Sequence, residues 1–252
     1  MDIWQTIVNW LHSAGLHVDP DTAQAVGEAA GQVGDVASRA GHAVAQMDMG
    51  ALLALAAALG WASGFRLYAV VFLVGLLGAT GLMPLPGGLG VLQHPMVLIL
   101  SGSLLFVEFF ADKIPLVDSV WDLFQSVLRI PAGAALAAAV FGADNSTMAM
   151  VAALMGGTLA ATSQAAKTTT RALINTSPEP FSNVGASLAE DTVAVGAIWL
   201  ALANPLVFGS VLVVVVILMW LVIWALWRFL KTAMRRLRGW LGAGDAEPLQ
   251  KT

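Results

Sequence analysis

Residues 91–122 read VLQHPMVLILSGSLLFVEFFADKIPLVDSVWD. Positions 91–107 hold no Asp, Glu, Lys or Arg, and the run is long enough to enter a membrane. Then Glu108, Asp112, Lys113, Asp118 and Asp122 bring five ionisable side chains into fifteen positions. Glu108 and Asp112 are four apart and share one face of a helix. Pro115 offers no N–H to the turn before it and is expected to end that helix. Asp118 and Asp122, again four apart, fall on the next one. Each such charge costs roughly 2.5 to 3.5 kcal/mol near the centre of a bilayer on insertion scales. A chain that keeps several of them at lipid depth must pair them, hydrate them or use them.

The rest of the chain agrees that the solvent is lipid. Hydrophobic residues make up 58% of the 252 and charged residues 11%, where a soluble domain has about 25%. This implies an all-α integral membrane protein with several spans. There is no cysteine, so disulfides and thiolate metal sites are excluded. A net charge of −4 does not point to nucleic acid. The acidic N-terminus, with Asp2 and no apolar core before a small-residue cleavage site, does not read as a secretory signal, so the first span is expected to act as the insertion signal.

Six spans follow from hydropathy, near 50–79, 95–114, 116–142, 148–174, 187–203 and 206–230. Residues 1–48 stand apart as an N-terminal helical extension, extramembrane or interfacial, with His12, His17 and His42 too scattered for a metal site. The transmembrane domain is 49–231, in halves of about 49–142 and 147–230, and 232–252 form a basic tail. Span one is longer than a crossing needs, so it is tilted, kinked or partly outside. It carries Arg66 in mid-span, which needs an acid partner, Glu108, Asp112 or Glu190, or a hydrated cleft. Span three has Asp118, Asp122, Gln125 and Arg129 on one polar stripe, and Pro131 is expected to interrupt it. Span four carries Gln164, Lys167, Thr168 and Arg171 on one face. Trp220, Trp224 and Trp227 precede Arg228, Lys231, Arg235, Arg236 and Arg238, the pattern of a cytoplasmic interface. With an even number of spans, both termini are then cytoplasmic.

The two halves share a plan. Each has a first helix with a basic residue beyond small or hydroxyl residues (SGFRL, TTRAL), a Pro-containing loop (PLPGG, SPEPFSN), and a second helix with a close acidic pair, Glu108/Asp112 or Glu190/Asp191. Three spans per unit would make the repeats inverted, a plan that puts a transport site at the repeat interface. Plainer readings stand beside each residue. Ser187 to Glu190 fits a capping box. Asp118 and Asp122 fit the wet side of an interfacial helix, and Lys167 and Arg171 fit snorkelling at a helix end. Against the plain readings stands complementarity. Six acids (Glu108, Asp112, Asp118, Asp122, Glu190, Asp191) face five bases (Arg66, Lys113, Arg129, Lys167, Arg171), close to the neutrality that desolvation demands. The i, i+4 acids of span three are expected to meet the i, i+4 bases of span four.

The runs GWASGFRLYA, EFFADKIPLVDSVWD with RIPAGA, and KTTTRALINTSPEPFSN with SLAED resemble a family of bacterial multi-pass membrane proteins catalogued only as a domain of unknown function, DUF4126. The resemblance covers about 55–230. It implies a membrane location, which we expect to be the bacterial inner membrane, and brings no activity, substrate or site with it. A fainter likeness is to cation/proton exchangers with paired E-x-G-D-K-T motifs. Glu108, Asp112 and Lys113 read E-x-x-x-D-K instead, and Glu190–Asp191 lacks the spacing.

Two function classes remain. The first is a transporter or channel for a small cation or a proton-coupled solute. There the six acids line the path, and Arg66, Lys113, Arg129, Lys167 and Arg171 act as countercharges or gates. The second is a non-transporting scaffold, or a partner of lipid or envelope machinery, whose charges hold helices together. No Ser–His, HExxH or Walker pattern supports an enzyme, although a carboxylate-based intramembrane hydrolase fits the acids as well. No cofactor is implied. The metal question, the substrate and the oligomeric state are not legible.

Overall fold

The computed structural model describes residues 47–111, 114, 117–143, 145–174 and 180–242, with single positions at 24, 27, 28 and 31; a few helix side chains within these ranges, those of Asp118 and Asp122 among them, fall outside the description. Most of the N-terminal extension, Asp112, Lys113, 175–179 and 243–252 therefore also lie outside it. The ordered elements are all helical: α1 (Met49–Ala79), a short 3-10 helix η1 (Gly87–Gln93), α2 (Pro95–Ala111), α3 (Val117–Ala139), α4 (Ser146–Ile174), α5 (Pro180–Ala203) and α6 (Pro205–Gly242).

The boundaries follow from local chemistry. Asp48 caps α1, its carboxylate accepting from the Ala51 N–H at 2.8 Å. Gly81, at φ 71°, takes the left-handed conformation that closes the same helix. Pro95, Pro180 and Pro205 open their helices, where a missing N–H costs nothing. Pro131 does not interrupt α3 as the sequence suggests, because the helix runs through it to Ala139. Neighbouring helices make such a proline tolerable at membrane depth.

Among the described residues, four helices are long and apolar enough to cross a membrane: Met49–Ala79, Ser146–Ala172, Val184–Ala203 and Pro205–Arg228. A fifth crossing appears if η1 and α2, bent by 73°, count as one broken span. The acidic, amphipathic first half of α3 keeps that helix out of this set. Helix α5 begins at Pro180, earlier than its apolar core suggests. Ser187 is therefore inside a helix, and the capping-box reading of Ser187 and Glu190 is overturned.

α1 is the hub, packing against every other helix. One face joins Leu55, Leu59, Val70 and Val74 to Leu92, Leu136, Val140 and Ile198. The other joins Trp61 and Phe65 to Ala197, Ala201, Phe208 and Leu212. Small residues set how near α4 and α3 come. A Cβ on Gly60 would strike the Gly156 backbone, and one on Gly64 would strike Ser163 Oγ and Ala160 O. Without a hydrophobic drive between helices in lipid, this close packing is what holds them together. α6 leans most loosely, with only 11% of its apolar window buried.

Gly156→Val is expected to lower the thermal midpoint of the detergent-purified protein, overpacking costing about 1–3 kcal/mol. Gly209→Ala, where an added Cβ meets nothing within 4 Å, should leave the midpoint unchanged or slightly raised. Equal effects would mean that the glycine contacts do not set the helix spacing.

Candidate functional site

The site begins where α1 breaks. Arg66 has non-helical φ −143° and ψ 71° within an otherwise helical segment. A break exposes backbone groups that the helix would have paired, and at membrane depth they need partners. Two polar side chains of α4 serve the backbone here: Lys167 Nζ donates to Phe65 O at 3.3 Å, and Ser163 Oγ donates to Trp61 O at 2.7 Å.

Arg66 itself is 1% exposed and reaches two helices. Its Nε lies 2.8 Å from Asp191 Oδ1 and 3.9 Å from Glu190 Oε2, both on α5. Its Nη1 lies 3.8 Å from Glu108 Oε1 on α2. Nη2 donates to Ser187 Oγ at 2.5 Å and to Ser187 O at 3.3 Å. Of the expected acid partners, Glu108 and Glu190 are both near and Asp112 lies outside the described residues; the shortest of the described ion pairs is to Asp191.

Glu108 is fully buried and shared. Oε1 takes a 2.5 Å bond from Arg129 Nη2 and lies 4.0 Å from Lys167 Nζ. Arg129 is held in turn by Gln164 Oε1 at 2.8 Å and by Gln125 Oε1 one turn back. On the far side, Glu190 receives two bonds from Arg171, each 3.1 Å, and lies 3.3 Å from Lys167 Nζ. Two parallel bonds to a carboxylate make the strong form of this pair. Lys167 and Arg171 are each 1% exposed, so neither is snorkelling to an interface.

The bridges form a ring with an internal likeness. Arg66 on α1 and Lys167 on α4 each lie between Glu108 on α2 and Glu190 on α5. Among the described residues, Arg66, Arg129, Lys167 and Arg171 meet Glu108, Glu190 and Asp191. Also among the described residues, no group of three or more His, Asp or Glu side chains could hold a metal ion.

The chain belongs to the DUF4126 family. The family model, described as Domain of unknown function (DUF4126), matches residues 53–228, which takes in every member of the ring. No curated protein and no solved structure matches the chain.

Of the expected site residues, Arg66, Glu108, Arg129, Lys167, Arg171, Glu190 and Asp191 come together in this DUF4126 protein. Asp112 and Lys113 lie outside the described residues, as do the side chains of Asp118 and Asp122. The expected meeting of Asp118 and Asp122 with Lys167 and Arg171 therefore also falls outside the description; the described partners of those two bases are Glu190 and Glu108. Sequence reading missed Ser187 as a ligand of Arg66, having assigned it to a helix cap. It also missed the buried indole N–H of Trp61, which has no hydrogen-bond partner among the described residues.

Glu190→Gln leaves Lys167 and Arg171 short of their acid, and breaking a buried pair this way costs about 3–5 kcal/mol. The Arg171→Gln/Glu190→Gln double variant should recover part of that loss in thermal unfolding. Strictly additive losses would mean that the two side chains are not coupled.

Proposed function

We propose that this protein is a membrane transporter for a small proton-coupled solute, with Glu108 carrying the proton and Arg66 as the moving countercharge. The observation behind this reading is that Glu108, fully buried, is shared by Arg66, Arg129 and Lys167 beside the break in α1. Discontinuous helices at mid-membrane are a recurrent way to build transport sites.

Protonation of Glu108 would remove the charge that draws three bases toward α2. Arg66 and Lys167 already lie near Glu190 and would then be held mainly from α5. Such an exchange of partners is a two-position element, which coupling requires. Between a bare cation and a proton-coupled solute, the approach of Arg66, Arg129 and Lys167 to Glu108 favours the second, since like charge disfavours a cation beside them. Asp112, Lys113, Asp118 and Asp122 would extend the polar path.

This reading takes all six helices as crossings, with η1 and α2 as one broken span and α3 crossing on its apolar side. The placement of Arg66 with Lys167, and of Glu108 with Glu190, supports two inverted three-helix units. The basic stretch at the end of α6 supports cytoplasmic termini in a bacterial inner membrane. Reporter fusions at both ends should then read as cytoplasmic; a periplasmic N-terminus would imply an odd number of crossings and remove the inverted plan.

A scaffold is the second reading, favoured by the two-bond closure of Glu190 on Arg171, an arrangement suited to holding helices fixed. Vesicles loaded with a pH indicator separate the two. Under transport, small anionic and neutral solutes should include one that drives proton movement, and Glu108→Gln should cut that movement by about tenfold or more, as loss of an essential proton carrier does. Under the scaffold reading, no solute moves protons and Glu108→Gln acts only on the thermal midpoint.

A further inference from the structure

α6 runs on past the end of its apolar window. The window closes at Arg228 and the helix continues to Gly242. Trp224 and Trp227 lie just inside that end, 59% and 62% exposed, as aromatics at a membrane interface do. Arg228, Lys231 and Arg235 follow at spacings of three and four, which places them on one face of the helix over a rise of about 10 Å. All three are exposed. No Asp or Glu occurs between Asp191 and Asp245, so this part of the chain brings no acid of its own to them.

The three side chains turn back toward the membrane rather than out to water. Arg228 Cζ stands 5.5 Å from the ring centre of Trp224, and Lys231 Nζ 5.4 Å from that of Trp227, each ring belonging to a residue one turn nearer the middle of the span. Arg235 Nε donates to Lys231 O at 3.4 Å, again one turn back. Two plainer readings do not cover this. Snorkelling carries a base away from hydrocarbon, whereas these are folded toward it. Macrodipole stabilisation acts in the last turn of a helix, and the last turn of α6 holds no base. A cation over an indole face is attracted by the ring but not neutralised by it.

We propose that Arg228, Lys231 and Arg235 form a binding site for the phosphate of an anionic phospholipid, at the level of Trp224 and Trp227. The tryptophans fix the depth, since indoles at a membrane interface sit where lipid headgroups begin. The bases fix the sign of the partner. The low burial of α6, 11% of its window, leaves lipid around it. A soluble phosphate or a nucleic acid carries the same charge, yet neither would be met by side chains folded toward hydrocarbon. The site stands apart from the transport reading, because it uses no member of the charged ring.

The test uses the full-length protein in nanodiscs of equal parts phosphatidylcholine and phosphatidylglycerol with the same acyl chains. Native mass spectrometry reads the lipids retained on the protein. Phosphatidylglycerol should be retained about tenfold or more over phosphatidylcholine, the scale expected of two or more bases near a headgroup. Arg228→Gln/Lys231→Gln/Arg235→Gln should remove that preference at unchanged thermal midpoint, since these are exposed side chains whose described contacts lie within their own helix. Arg236→Gln/Arg238→Gln/Lys251→Gln takes the same formal charge from the rest of the tail and should leave the preference largely in place. Equal retention of the two lipids by the unmodified protein overturns the proposal, and that outcome needs no variant. Equal loss in the two triple variants also overturns it, showing a general attraction of the basic tail and no site. Displacement of the retained lipid by millimolar glycerol 3-phosphate, or by a short single-stranded RNA, would overturn it too, since the phosphate recognised would not be the lipid's.

Discussion

A guanidinium cannot sit alone at membrane depth, and much of this structure follows from the one at Arg66. Its residue leaves the helical conformation, and its side chain is 1% exposed. The charge requires acids nearby, and the two helices that supply them, α2 and α5, pack against α1. Glu108 on α2 brings the same requirement with it, which Arg129 of α3 and Lys167 of α4 meet. Glu190 on α5 does likewise through Arg171. Each partner enlarges the set that must be buried together, until five helices are tied through one ring. Charge pairing here specifies arrangement more than it adds stability, since burying such groups costs nearly what their attraction returns.

The ring can close only because the helices approach so nearly. Lys167 reaches a backbone carbonyl of α1, and Ser163 reaches another one turn earlier. Neither contact survives larger residues at Gly60, Gly64 or Gly156, where an added Cβ meets backbone or side-chain atoms directly. The stripe of small residues along α1 and the charges beside it are parts of one solution. Small side chains bring backbones together, and the polar groups then satisfy what the break in α1 leaves open.

Much of this was legible in the chain itself, for physical reasons. Helix positions follow hydropathy and proline placement, which are local, so the six long helices lie close to the expected spans. Which helices cross is less local: α3 is polar enough on one side that composition leaves it out of the set, and among the described residues four or five helices pass on length and apolarity. Arg66 announced itself because a mid-span arginine has few acceptable fates. That Asp191 lies nearer to it than Glu190 does depends on the rotation of α5, which hydropathy does not encode. Ser187 was misread because a capping box and a mid-helix Ser-x-x-Glu have the same spelling; only the helix start at Pro180 tells them apart. The Trp61 donor was illegible for a similar reason, since an indole within an apolar run reads as packing.

Arg66 and Lys167 lie between acids of different helices: Glu108 on α2 and Glu190 on α5 are both within 4.0 Å of each. A base shared in this way has more than one arrangement open to it, and whatever neutralised Glu108 would change which one wins. Lys167 is the more telling of the two: it touches the break in α1 and stands between both acids. A proton arriving on Glu108 would therefore release Lys167 from α2 and leave it held by Glu190 and by the Phe65 carbonyl, so the charge state of one acid on α2 would be felt at the break in α1, and coupling between two sites requires such a shared element rather than mere proximity.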